Sequence, residues 1–261
     1  MGLLADIKGL LLDLDGVLYV GSQPIAGAAQ AVARIRKHLP CRFITNTSTR
    51  SLASVHHKLT QLGFSIGIDE IISAPQVAKI LLQNMAHDSG RPPACWLLLH
   101  ADLQADFAQF SCPTGEPDVI LIGDIGETWN YALMNRIFTR VVAGAQLIAI
   151  HKNRFWETAS GLKMDIGGFV AALEYAGNTS ARIVGKPSAD FFQIALDSLG
   201  FPAAQVAIVG DDIESDVGGG QAAGLSGILV KTGKYRAGYV SSVVPESTLN
   251  SISDLPNMLG C

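Results

Sequence analysis

Short apolar runs of strand character alternate with stretches of helical periodicity along this 261-residue chain, and that alternation constrains its fold most. Ile7 to Leu12 reads as a buried parallel strand. Ala28 to Leu39 reads as a helix with Ala28, Val32, Ile35 and Leu39 on one face, ended by Pro40. Cys41 to Thr45 is the next strand, and Leu52, Val55, Leu59 and Leu62 mark the helix after it, closed by Gly63. A helix over Pro75 to Met85 follows, and Arg91-Pro92-Pro93 interrupts the series. A second series then offers strands at Cys95 to Leu99, Asp118 to Ile122 and Gln146 to Ile150, with helices at Trp129 to Ala143 and Phe169 to Tyr175. A short strand at Arg182 to Val184 leads to a helix carrying Phe191, Phe192, Ala195, Leu196 and Leu199. Strands at Val206 to Val209 and Ile228 to Val230, and a terminal helix near Asp254 to Leu259, complete the order. The expected class is α/β, an open parallel sheet with right-handed crossovers.

Composition narrows the function classes. Apolar residues make up 48% and charged ones only 16%, which fits a packed globular protein and not a disordered one. The net charge of −4, without a long basic run, argues against nucleic acid or an anionic membrane as partner. No segment has the length of a membrane span or the layout of a signal peptide. The four cysteines, Cys41, Cys95, Cys112 and Cys261, are widely spaced and form no zinc-type pair, so reduced thiols in a cytoplasm are expected.

Three apolar runs end in polar groups: Asp13 and Asp15, then Thr45 and Asn46, then Asp211. In open α/β sheets ligands bind at the carboxyl ends of the strands, so these groups are expected to converge. Asp-x-Asp-Gly at residues 13–16 is also a common turn sequence, and two acids so close repel unless a cation or a shared proton stabilises them. Oxygen-only ligands suit a hard cation such as Mg²⁺. A lysine, Lys186, and small polar donors suit the oxygens of a phosphoryl group. A carboxylate in such a place can act as a nucleophile, and a second can protonate a leaving oxygen and later deprotonate water.

The order Asp13-x-Asp15-Gly16-Val17, Thr45-Asn46, Gly185-Lys186-Pro187 and Gly210-Asp211-Asp212-x-x-x-Asp216 resembles the four motifs of haloacid-dehalogenase-superfamily phosphatases. The long insert between the second and third motifs is similar to the large α/β cap of the NagD-type branch. Asp216 to Gly219 and Gly227 to Arg236 resemble its subgroup of phosphoamidate and pyrophosphate phosphatases and their hydrolase-domain relatives. The resemblance implies a Rossmann-like parallel-sheet core at residues 1–76 and 182–261 with an inserted cap at 77–181. It further implies that Asp13 is nucleophile and Mg²⁺ ligand, and that Asp15 is the acid/base with its main-chain carbonyl on the metal. Thr45, Asn46 and Lys186 would hold the phosphoryl group, Asp211 would ligate the ion, and Asp216 and Asp212 would act from an outer position. Val17 stands where many members have threonine. The substrate would be a small phosphorylated molecule, a phosphomonoester, phosphoamidate or pyrophosphate, and two copies could pair through the cap. A phosphotransferase or mutase on the same core, or a binding protein without catalysis, are the rival readings.

Other segments read more plainly. Gly218-Gly219-Gly220 lacks dinucleotide-binding spacing, and neither Gly185-Lys186-Pro187 nor Gly233-Lys234-Tyr235 is a P-loop. Gly123-Asp124-Ile125-Gly126 mimics the fourth motif but lacks the later acid. His56-His57 is isolated in a helix. Ser48 and Thr49 are good helix caps. His151-Lys152-Asn153-Arg154 and the loop Gly161 to Gly168, with Lys163 and Asp165, read either as solvated turns or as segments that select the leaving group.

Overall fold

The computed structural model describes residues 6–158 and 161–261. In chain order its first elements are β1 (Gly9–Asp13), the hairpin β2 (Tyr19–Val20) and β3 (Gln23–Pro24), α1 (Ala28–Ile35), β4 (Cys41–Thr45), α2 (Leu52–Gln61) and β5 (Ile71–Ser73). Next come α3 (Ala74–Ser89), β6 (Cys95–Leu98), α4 (Ala101–Phe107), β7 (Val119–Ile122), α5 (Tyr131–Val142) and β8 (Gln146–Ala149). The hairpin β9 (Phe155–Thr158) and β10 (Gly161–Met164) leads to α6 (Ile166–Gly177) and β11 (Arg182–Ile183). The chain closes with α7 (Ala189–Leu199), β12 (Val206–Gly210), α8 (Gly219–Ala222), β13 (Ser226–Val230), β14 (Ser247–Leu249) and α9 (Leu255–Leu259).

The chain forms two compact units. The first holds residues 6–45, Leu52–Ser73 and Lys186–Cys261; the second holds Asn46–Ser51 and Ala74–Gly185. These borders differ by a few residues from those read in the sequence. Segment 46–51 joins the second unit because Ser48 bonds His151 and the Ser51 amide donates to Asp102.

The first unit is built on a six-stranded parallel sheet ordered β14-β13-β12-β1-β4-β5. β1 is buried throughout, as a run of three leucines covered on both faces requires. Leu10 and Leu12 join Phe43, Val209, Val32, Ile35, Val55 and Leu59 in one apolar cluster on one face of the sheet. Leu11, Ile44 and Ile208 alternate to the other face. Because β1 lies between β4 and β12, the strand order reverses beside it, and the carboxyl ends of all three strands meet there.

The second unit carries its own parallel sheet, ordered β11-β8-β7-β6. Ile120, Ile122, Leu147 and Ala149 pack there against Ile137 and Val141 of α5 and Ile166, Val170 and Leu173 of α6. Trp129 stacks on Phe169 with ring centroids 4.4 Å apart.

Several expectations need correction. The segment Gly161 to Gly168 is not a loop: its first half is β10, paired antiparallel with β9, and its second half opens α6. That helix starts at Ile166 and not at Phe169, capped by Asp165, whose carboxylate accepts the Ile166 amide at 2.7 Å. The glycine pair that hides this start is there for close approach, since a Cβ on Gly167 would lie 2.2 Å from the Asn153 carbonyl oxygen. α1 ends at Ile35 instead of Leu39, and the last turn closes with Leu39 N–H donating to Ile35 O at 2.9 Å. Among the described residues no helix is long and apolar enough to cross a membrane.

Candidate active site

The strand ends of the first unit place the predicted groups together. Asp13 is the last residue of β1, Thr45 the last of β4, and Asp211 follows β12 directly. Register aligns Leu12 with Val209 and Asp13 with Ile44, so the three ends stop at one level. Lys186 reaches the same place from the turn before α7, across a cis Lys186–Pro187 bond, with Ser188 capping the helix behind it.

Lys186 Nζ donates to Asp13 Oδ1 at 2.5 Å and to Asp216 Oδ1 at 2.6 Å. All three side chains are buried. Asp211 completes the group, and one carboxylate oxygen from each of Asp13, Asp211 and Asp216 lies within 4.8 Å of the others. Lys186 thus bonds two of the three acids in a desolvated place, and the charge of Lys234 also reaches the group. Burial raises the Asp13 pKa well above its ordinary value, opposed by Lys186 and reinforced by Asp216 and Asp211. Burial, with Asp216, pushes Asp211 up to about 7. Burial acts against the Lys186 ammonium, but Asp13 and Asp216 outweigh it and raise its pKa. The excess negative charge calls for a further cation.

The loop after β13 supplies groups that the sequence reading left without a role. The Lys234 amide donates to Asp211 Oδ2 at 2.6 Å, and Thr232 Oγ1 donates to the Gly16 carbonyl at 2.5 Å. The Asp211 carboxylate is wedged between Gly16 and Gly233, at φ 87° and 57°. A Cβ at either would come within 2.0 Å of Asp211 Oδ2. Lys234 Nζ also approaches Asp212 Oδ2 at 3.3 Å. Asp212 caps the following π-helical turn (Ile213–Gly218), its carboxylate accepting the Glu214 and Ser215 amides at 3.1 and 3.0 Å. That turn carries Asp216 back against β12. The missed signal was positional, because Thr232 to Lys234 also follow a parallel strand's carboxyl end.

Asp15 lies on the turn between β1 and β2. Desolvation by the surrounding protein raises its pKa, against the charges of Lys58, Lys234 and Lys186 in that order. Thr45 is buried at its strand end, beside Ser73 of β5. Asn46, the next residue, belongs to the second unit, where Gly185 lies so close that a Cβ there would be 2.6 Å from Asn46 Oδ1.

The second unit contradicts two plain readings. His151 is not part of a solvated turn: it is buried, and its Nε2 lies 3.1 Å from Ser48 Oγ and 3.9 Å from Asp165 Oδ1. Ser48 is therefore engaged with His151, and α2 begins only at Leu52. Lys152 is tied to Glu174. Asp124 accepts the Gly126 amide at 2.8 Å, an ordinary turn. His57 meets Gln61 at 2.9 Å within its own helix.

The donor set fits a hard divalent cation. Asp13, Asp211 and Asp216 gather buried, mutually repelling carboxylate oxygens, with Asp216 held by Lys186, and a site of oxygen donors of this kind suits Mg²⁺. No imidazole or thiolate belongs to the group.

Known proteins are similar to this chain in sequence and fold. Residues 10–109 match the family model described as haloacid dehalogenase-like hydrolase, and residues 183–255 match the HAD-hydrolase-like model. The human phospholysine phosphohistidine inorganic pyrophosphate phosphatase is 40% identical over 241 residues, covering 89% of this chain and 86% of the relative. The structure of a p-nitrophenyl phosphatase from Archaeoglobus fulgidus superposes with a TM-score of 0.87 at 26% identity, over 97% of this chain and 99% of that one. That of a glycerol phosphate phosphatase from Mycobacterium tuberculosis, in complex with magnesium, superposes with a TM-score of 0.80 at 27% identity. It covers 96% of this chain and 76% of that one.

Proposed function

The chain belongs to the haloacid dehalogenase-like hydrolases and is a phosphatase, and from that premise we propose that it hydrolyses a small phosphorylated molecule with Mg²⁺, through an aspartyl-phosphate on Asp13. The observation that carries this reading is Lys186 Nζ held between Asp13 and Asp216 at the strand ends, with Asp211 beside them. Bound Mg²⁺ would be held by Asp13, Asp211 and the Asp15 main-chain carbonyl, and would neutralise phosphoryl charge.

The chain's own residues account for the remaining steps. Asp13 attacks phosphorus as the bond to the leaving atom breaks, and the proton of Asp15 goes to that atom. Lys186 favours the ionised form of Asp13 against its burial and balances the charge that spreads over the phosphoryl oxygens. Thr45 and Asn46 donate to those oxygens. Asp15, now ionised, takes a proton from the water that opens the aspartyl-phosphate. Desolvation suits Asp15 to this alternation, because it keeps the carboxyl protonated at higher pH than a free aspartate.

The relative's name makes phosphoamidates and pyrophosphate the first substrates to try. The test is phosphate release from phospholysine, phosphohistidine, pyrophosphate and simple phosphomonoesters, with and without Mg²⁺, together with mass-spectrometric mapping of a trapped phosphoryl group. Release that needs Mg²⁺, with the label on Asp13, is the expected result. Full turnover in a chelator, or a label on another residue, would refute the mechanism.

A further inference from the structure

Lys58 lies outside the acid group yet bears on it. It stands on α2, between the buried Val55 and Leu59, and is itself half-buried. Its Nζ is 3.7 Å from the centroid of the Tyr19 ring, at the close end of the range for a cation over an aromatic face. Tyr19 is 4% exposed and begins the β2–β3 hairpin. Its carbonyl accepts the Gly16 amide at 2.7 Å, and its backbone bridges to Asp15. Leu14 O in turn accepts the amides of Val17 and Leu18 at 3.3 and 2.9 Å. Asp15 thus sits in a tight turn with one end fixed by β1 and the other by Tyr19.

We propose that Lys58 is a positioning residue for the acid step: by clamping the Tyr19 ring, its ammonium holds the turn that aims Asp15 at the leaving atom. This rests on the reading of Asp15 as the acid. In the step concerned, Asp13 oxygen bonds to phosphorus, the phosphorus–oxygen bond breaks, and its electron pair and the Asp15 proton both go to the departing oxygen.

A leaving group that is stable as an anion needs no such proton, and this separates positioning from general support. The measurement is kcat/KM for phenyl phosphate and for 2,4-dinitrophenyl phosphate. Asp15→Asn should lower the first by about 100-fold and the second far less. Lys58→Met keeps the apolar stem and should lower the first by about tenfold while leaving the second within about twofold. Lys58→Arg, which retains a cation over the ring, should restore the wild-type ratio. Tyr19→Leu should repeat the Lys58→Met pattern, and the double variant should be no worse than either single one. An equal loss on both substrates in Lys58→Met, no loss at all, or no rescue by arginine would overturn the proposal. If Asp15→Asn depresses both substrates equally, the acid role itself fails. If only Asp15→Asn discriminates between them, the role of Lys58 alone fails.

Discussion

Two strands of this molecule end in nearly the same words and come to different ends. β7 runs through Ile122 into Gly123-Asp124, and β12 runs through Val209 into Gly210-Asp211; both are buried parallel strands. Asp124 is half-exposed and closes a turn on Gly126, while Asp211 is buried, with its pKa pushed up to about 7. The strands themselves do not make the difference. After β12 a π-helical turn returns Asp216, a neighbouring strand brings Asp13, and two glycines let distant loops close on the carboxylate. After β7 no partner carboxylate joins Asp124 in a group of this kind, among the described residues. An acid at a strand end acquires chemistry only from what converges on it.

That contrast can be broken by substitution. Asp13→Asn should reduce turnover to background with the fold intact, whereas Asp124→Asn should leave steady-state rates unchanged; circular dichroism and phosphate release check both. Lys186→Ala should lower kcat by about 10²–10³, the usual loss for one transition-state charge contact. Lys152→Ala, which breaks a surface pair with Glu174, should do little.

Glycines sharpen the comparison further. Gly126 and Gly233 have nearly equal φ, 58° and 57°, but a Cβ on Gly126 meets nothing within 4 Å, and one on Gly233 meets Asp211 Oδ2 at 2.0 Å. Gly126→Ala should cost about 1–2 kcal/mol, from backbone strain alone. Gly233→Ala should cost more and weaken Mg²⁺ binding as well, which calorimetric titration would show.

The smallest effect expected is one of pH. Asp211 titrates from its ordinary 3.8 up to about 7 on folding, so the folded state holds more protons between those values. Stability of the metal-free protein therefore falls as pH rises through that window and levels above it. Lys186 stays charged throughout and adds no slope. Between about pH 5 and about pH 7.5 the melting midpoint should drop on the order of 5 °C. Mg²⁺ should reverse the drop, Asp211→Asn should lessen it while Asp13 and Asp15 keep the rest, and Asp124→Asn should leave it in place.

The acids and their strands were legible because a fully buried parallel strand is written as an unbroken apolar run that stops at its polar end, as Leu10 to Asp13 does. What escaped is short or held by distant contacts. β2, β3, β5 and β14 have two or three residues each, too few to show a period. α4 offers only Leu103 and Phe107 as buried positions, one pair at helical spacing. Thr232 to Lys234 and Lys58 gain their meaning from contacts across the sheet that no local pattern records. His151 read as a basic turn because its neighbours are basic, while its own partners, Ser48 and Asp165, lie elsewhere in the chain.

The strand order has a consequence for how the protein is made. β1 lies between β4, synthesised soon after it, and β12, whose first residue is Val206. While the intervening residues leave the ribosome, one edge of the three-leucine strand has no native neighbour, and an apolar edge of that kind is a template for wrong pairing. The site is likewise unfinished until Lys234 has emerged. Asp13 is in place long before Lys234 is made, and the acid group gains its last main-chain donor only when the loop after β13 has emerged.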